Sequence, residues 1–194
     1  MSGRAFVLRA GAAVLLASTA AAAQDAYPGD ISPPPGTRYP CALTALPRGL
    51  PGIPEADRAF VNRTYARVLR ATQAKLVLLK ALEERRPVSA AFERYRETAE
   101  GLLPRQRADD VPPGLEPFQR DVMAALELQL AFFSKAAALR EAGGSMDEAY
   151  RIAEGRQASG RLIAAWSKMQ ARYPGWPPET RDSIYHHLCA LDLF

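Results

Sequence analysis

The chain has two histidines, His186 and His187, with a carboxylate and a thiol at helical spacing around them. Asp182 precedes His186 by four residues and Cys189 follows it by three, so on a helix these side chains share one face. Zinc accepts carboxylate, imidazole and thiolate ligands, and Cys41 would add another thiolate. His186 and Asp182 are therefore the candidate metal ligands, and a metal-binding protein or an enzyme centred on His186 is one functional alternative.

The same two cysteines favour a different chemistry. In an oxidising compartment an even cysteine count indicates a disulfide, and a Cys41–Cys189 bond would tie the N-terminal part of the chain to its last helix. Closing so long a loop contributes up to about 5 kcal/mol. Because a disulfide leaves no thiolate for a metal, we predict the bond and no metal site. The histidines are then hydrogen-bonding groups near a helix C-terminus.

Other catalytic and cofactor patterns are missing from the sequence. Ser183 lies near the histidines, but no Gly-x-Ser-x-Gly frame surrounds it. The Cys-x-x-Cys-His of c-type haem and the Glu-x-x-His of di-iron bundles are likewise absent. Asp109 and Asp110 are paired carboxylates, but their Pro-rich surroundings indicate a solvated connection. We predict no catalytic residues, no cofactor and no enzyme.

Basic residues follow one another along the first predicted helix without an intervening acid from Arg58 to Lys80. Arg63, Arg67 and Arg70 fall on one stripe and form a possible anion-binding face for an acidic protein or an anionic surface. The alternative, which the sequence favours, is a solvated face neutralised by acids of the second helix. Those acids are Glu93, Glu97 and Glu100.

Several polar residues fall within or beside the apolar stripes of the helices. If they converge, they would line a polar pocket, and the protein would be a small-ligand carrier with a cavity between helices. More often such residues bond to one another or to water at the margin of a stripe. They are Thr72, Gln73, Gln129, Gln157 and Ser159.

The first 23 residues have the features of a cleavable signal peptide. Arg4 and Arg9 precede an apolar run that ends in Ala21-Ala22-Ala23, which is a small-residue cleavage site. The run has about 14 residues, whereas a membrane-spanning helix needs roughly 20. We therefore predict export to the periplasm or the medium, with no transmembrane segment after cleavage.

Export changes the charge balance. The 194-residue chain has 25 basic and 21 acidic residues, a net charge of +4. Both arginines of the signal leave with it and no acid does, so the mature chain has 23 basic and 21 acidic residues, a net charge of +2. That small excess argues against a nucleic-acid partner, which requires a strongly basic domain.

The elements that position these residues are helices behind an irregular arm. Residues 24–53 are rich in Pro and Gly, and we expect the first part of this arm to be disordered and Leu43, Leu46, Leu50 and Ile53 to lie on the bundle. Residues 54–194 form the helical domain. Apolar residues at steps of three and four predict helices over 54–85, 89–103, 116–142, 145–173 and 178–193.

The sequence therefore predicts an all-α, antiparallel bundle of four to five helices with an irregular Pro-rich N-terminal arm. Ser145 and Glu148 form a capping box at the start of the fourth helix. The expected function is that of an exported, non-catalytic interaction module that binds another protein or a surface, and the sequence leaves its oligomeric state open. The ligand carrier and the His186-centred metal protein or enzyme are the alternatives.

Overall fold

The computed structural model describes residues 26–29, 43–84 and 86–192, and over these ranges the chain is helical without β-strands, which confirms the predicted all-α class. Five long helices and one single-turn helix follow in order. They are α1 Glu55–Glu83, α2 Ser89–Ala108, α3 Glu116–Glu141, α4 Met146–Ala149, α5 Ala153–Arg172 and α6 Pro178–Leu191. The predicted signal peptide, residues 1–23, lies outside the described ranges, as does most of the predicted disordered part of the arm.

The long helices pack in a closed ring, in which each contacts the next and α6 returns to α1. Consecutive long helices are antiparallel, because in each pair a contact joins an early residue of one helix to a late residue of the other, and the α3–α5 ion pairs are the example with a contact at both ends. Asp121, early in α3, meets Lys168 late in α5, whereas Lys135, late in α3, meets Glu154 early in α5. With an odd number of helices in the ring, α1 and α6 have to run parallel.

Helix α2 continues beyond the predicted end at Pro104 to Ala108. Pro104 removes one backbone donor, which costs about 3 kcal/mol in a helix interior, but the residue is exposed, so water can reach the carbonyl that loses its partner. Further along, the buried side chain of Gln106 donates to Thr64 Oγ1 at 2.9 Å and accepts from Arg67 at 2.8 Å. These contacts with α1 hold the last turn in the helical conformation.

The predicted fourth helix is divided into two. Its start is confirmed, because Ser145 Oγ accepts from the backbone of Glu148 and the Glu148 carboxylate accepts from the backbone of Ser145. After a single turn the backbone becomes extended at Ile152, and α5 begins at the next residue. The break places Ala149 in the core and Ile152 against it, a packing gain that local sequence signals do not report.

The interior contains two apolar clusters. The first joins Val68 of α1 with Leu126 of α3 and Leu188 of α6, and the second joins Leu78 of α1 with Tyr95 of α2 and Phe133 of α3. Polar side chains lie at the level between them. They include Thr72, Lys75 and Gln129, all buried.

The last part of the arm lies on the bundle. Leu46 and Leu50 are buried in the first cluster, with Ile53 packed against it. The side-chain amide of Asn62 accepts from the backbone N–H of Leu46 at 2.7 Å and donates to its carbonyl at 3.0 Å. Ser183 of α6 donates to the carbonyl of Thr44 at 2.9 Å. These contacts fix residues 44–50 against α1 and α6.

Helix α3 is long and apolar enough to pass a simple test for a membrane span, the one such helix among the described residues. The test is weak evidence, because core helices of soluble proteins pass it too, and 44% of the apolar stretch is buried inside the bundle.

Candidate functional site

The three arginines of the predicted anion-binding face do not form one exposed stripe. The side chain of Arg67 is buried and bonded to Asp109, at 2.7 Å from Nη1 and 3.1 Å from Nη2. Arg63 Nε lies 3.6 Å from the same carboxylate. Arg67 therefore holds the chain that leaves α2 against α1, and its charge is not available to a ligand.

The neutralising acid also differs from the expected ones. Asp109, interpreted from sequence as solvated, has a side chain only 14% exposed and supplies the counter-charge for Arg67. Glu93 and Glu100 of α2 pair instead with Arg96 on their own helix. The sequence offered no signal for the pair, because it joins residues 42 positions apart and depends on how far α2 extends.

Arg70 lies one turn further along α1 and lines a groove between α1 and α2. The groove has a volume of about 510 Å³. From α1 its walls include Arg70 and Val77, and from α2 Arg94, Leu102 and Arg105. The antiparallel packing of two helices, each presenting a stripe at steps of three and four residues, places these side chains along one channel.

The groove combines positive charge with apolar surface. Three arginines and one acid, Glu97, line it. Within the described ranges neither Arg94 nor Arg105 forms an ion pair. Val77 is 45% exposed, and its neighbour Leu76 is 57% exposed. At Gly101, which also lines the groove, an added Cβ would meet no atom within 4 Å. Such a surface can bind an anionic group and an apolar group at the same time.

The two predicted metal ligands, Asp182 and His186, differ in their exposure to solvent. Asp182 is exposed and His186 half-buried, with the His186 ring 5.8 Å from that of Tyr185 in an edge-to-face contact. No group of three or more potential metal ligands occurs among the residues that the structure describes. Nothing in these ranges gathers ligands around His186.

His187, in contrast, is buried and fully engaged. Its ring stacks on Tyr65 with 4.2 Å between centroids, and Nδ1 lies 2.7 Å from the carbonyl of Ser183. Because a carbonyl only accepts, Nδ1 carries a proton, and Nε2 faces the hydroxyl of Tyr27 at 2.6 Å. His187 thus anchors the described piece of the arm at residues 26–29. Burial raises the pKa of the Tyr65 hydroxyl well above its usual range.

Of the two cysteines in the predicted Cys41–Cys189 disulfide, Cys41 lies outside the described residues. Cys189 is exposed on α6 and is a free cysteine in the structure.

The polar residues expected near the interior divide into two groups. Gln129 donates to the carbonyl of Leu191 at 2.5 Å, Thr72 donates to the carbonyl of Val68 at 2.9 Å, and Ser159 bonds to Asp192. The first group is therefore satisfied by the chain itself. Gln73 and Gln157 belong to the second group and line surface grooves.

Sequence reasoning missed the burial of Lys75, a residue that is only 3% exposed. Its Nζ donates to the carbonyl of Ala190 at 2.7 Å and to that of Asp192 at 2.5 Å, at the C-terminus of α6. Burial lowers the pKa of Lys75 to about 8, although Asp192 and Cys189 act in the opposite direction. The sequence did contain a signal for this burial, because Lys75 lies seven residues after Val68 and seven before Leu82 and so falls on the apolar stripe.

Comparison of the chain with protein-family models, with curated proteins and with solved structures found no match.

Proposed function

We propose that this chain is an exported interaction module that binds an acidic segment of another protein in the groove between α1 and α2. The observation that carries the proposal is the pairing of charge and apolar surface there. Arg94 and Arg105 lie without an ion-pair partner in the described part of the chain, beside the exposed Val77. An acidic protein segment could pair its carboxylates with such arginines and pack its apolar side chains against the apolar residues of the groove.

The alternatives have less support from the same residues. The polar residues that would have lined a carrier's cavity are bonded to the chain or lie at the surface. Within the described residues His186 and Asp182 belong to no group of three or more potential metal ligands. The α1–α2 groove thus remains the best-supported binding surface.

The test is a titration of the purified protein with two labelled synthetic peptides, followed by fluorescence anisotropy. Both are 15-residue amphipathic sequences of Ala and Leu, one with Glu and the other with Lys at the charged positions. The Glu peptide is expected to bind and the Lys peptide is not. Binding should weaken between low and physiological salt, because the Debye length shortens to about 8 Å at 0.15 M.

Charge reversal locates the binding site. Arg94→Glu and Arg105→Glu each replace an attraction by a repulsion, so each should weaken binding of the Glu peptide about tenfold, which is about 1.4 kcal/mol. Arg156→Glu and Arg181→Glu are the matched controls, because these arginines are exposed on α5 and α6, away from the groove. Equal losses in the control variants, or equal binding of the Lys peptide, would overturn the proposal. So would binding to phosphatidylglycerol vesicles without binding to either peptide.

Export and the disulfide are part of the same proposal. We expect the mature N-terminus to begin after Ala23 and the Cys41–Cys189 bond to form in the oxidising compartment. Residues 44–50 are fixed against α1 and α6, which keeps the chain that follows Cys41 near the helix that carries Cys189. Intact mass of the exported protein, measured before and after reduction and alkylation, tests both expectations. Two alkylated thiols without prior reduction would refute the disulfide.

A further inference from the structure

The groove between α1 and α2 does not end at Val77 and Arg94. A second depression of about 290 Å³ shares these two residues and continues along α2 to Arg86 and Pro87. A third, of about 430 Å³, begins at Arg86 and Pro87 and reaches Arg140 at the end of α3. The first two depressions therefore follow each other along the α1–α2 face, and we call them together the α1–α2 trough; the third adjoins their end at Arg86 and Pro87.

The trough has the length and the floor of a helix-binding site. Along α2 its lining runs from Ala90 to Arg105, which are 15 residues apart and thus about 22 Å at 1.5 Å per residue. Small residues recur along this length and allow a partner's backbone to approach closely. They are Ala74, Ala81, Ala90, Ala91 and Gly101.

The walls also determine which backbone conformation the partner can adopt. Both walls are α-helices, whose N–H and C=O groups are paired within each helix except at the ends and at the carbonyl that Pro104 leaves without a donor. An extended segment would find almost no backbone partners in the trough, whereas a helical segment satisfies its own. We infer that the acidic segment bound here is an amphipathic α-helix of about four turns, an inference that rests on the proposed function.

The arginines specify where the acids of that helix should lie. Arg94 and Arg105 are eleven residues apart on α2, which is three helical turns and about 16 Å. A helix lying along α2 has residues at the same spacing on one face, so acids at positions i and i+11 can meet both arginines. Arg86 already pairs with Glu84 at 2.9 Å, so the far end attracts an anion less strongly.

Three peptides test the helical conformation. The parent is a 15-residue amphipathic sequence with Glu at positions 2 and 13, the second has Pro at position 8, and the third is the eight-residue C-terminal half. Because Pro inside a helix removes a backbone hydrogen bond and its ring clashes with the preceding turn, the Pro peptide should bind at least tenfold more weakly than the parent. The half-length peptide should also bind at least tenfold more weakly. A Pro peptide within twofold of the parent would overturn the helical partner.

A second variant pair tests the trough itself. Gly101→Leu places a side chain in the open trough, and Gly160→Leu places one at another exposed glycine, on α5, where an added Cβ likewise meets no atom within 4 Å. Gly101→Leu should weaken the parent peptide at least tenfold and Gly160→Leu should leave it unchanged, with circular dichroism confirming that both variants fold. Equal effects of the two variants would overturn the trough as the binding site.

The peptides also separate failure of the helical partner from failure of the proposed function. If the Pro peptide binds as well as the parent while Arg94→Glu weakens the binding of both peptides, the helical conformation is wrong and the proposed function stands. If no acidic peptide binds, both fail.

Discussion

Lys75 permits a quantitative test of the bundle interior, because a buried amine makes stability depend on pH. The residue is 3% exposed and lies between the two apolar clusters, and its Nζ donates to the carbonyls of Ala190 and Asp192 at the end of α6. Burial disfavours the charged form and lowers the pKa from 10.5 to about 8. Folding therefore favours loss of the proton from Lys75.

The sign and size of the effect follow from this pKa. Because the folded-state pKa lies below that of the unfolded chain, the contribution of Lys75 to stability is complete above pH 10.5 and is lost as the pH falls through about 8. At 1.36 kcal/mol per pKa unit, its contribution to the free energy of unfolding should rise by about 2 kcal/mol between about pH 7 and about pH 9.5.

The comparison that isolates Lys75 is with Lys75→Met, which keeps the length of the side chain and removes the amine. The variant also leaves the carbonyls of Ala190 and Asp192 without their donor, which affects its stability at every pH. The pH dependence of the difference is therefore the test. Burial raises the pKa values of Tyr65 and Tyr95, so these tyrosines cost stability at high pH, but they do so equally in both proteins.

The assay is urea unfolding of both proteins, followed by circular dichroism, at several pH values between about 7 and 9.5. The free energy of unfolding of the wild type, relative to that of Lys75→Met, should rise with pH by about 2 kcal/mol. A relative stability that is flat with pH would refute the reasoning, because it would mean that Lys75 has the same pKa in the folded and the unfolded chain. A relative stability that falls with rising pH would show that a nearby carboxylate, and not burial, has the larger effect on the pKa of Lys75.

Two further predictions concern the α1–α2 pairing. Asp109→Ala leaves the buried Arg67 without its carboxylate and should lower the free energy of urea unfolding by about 3–5 kcal/mol. The control is Asp110→Ala, a change at the exposed next residue, which should have little effect. Similar losses in the two variants would exclude a specific role for Asp109. Pro104→Ala restores a backbone donor at an exposed position inside α2 and should raise the free energy of unfolding by about 1–3 kcal/mol. A lower stability would show that the proline ring makes a contact that α2 requires.

Helix positions could be predicted from the sequence because the signals for them are local. The stripes of α1, α3 and α6 and the capping box at Ser145 depend on residues within a few turns of one another. The extension of α2 past Pro104 and the break at Ile152 depend instead on contacts with distant helices. A residue-by-residue pattern cannot contain these contacts before the packing is known.

The candidate site was predictable only in part for the same reason. The arginine-rich helix α1 forms one wall of the proposed groove, and Arg70, one of the three predicted residues, lines it. Arg67, at the same helical spacing, is buried against Asp109. Which basic residue of a stripe is neutralised depends on where acidic residues of the neighbouring segments lie. Their positions are set by the tertiary structure and cannot be read from the stripe itself.

The charges of α2 differ between the side that lines the trough and the rest of that helix. Arg96 is neutralised by Glu93 and Glu100 on the same helix, and Arg107 by Glu127 of α3. Arg94 and Arg105 face α1, whose residues along this wall supply Arg70 and no acid. Arg94 is exposed and Arg105 half-buried, so both remain in contact with water, and stability does not require a partner there. Under the proposed function, a helix with two suitably spaced acids would therefore meet Arg94 and Arg105 without displacing an ion pair that either arginine makes within the described residues.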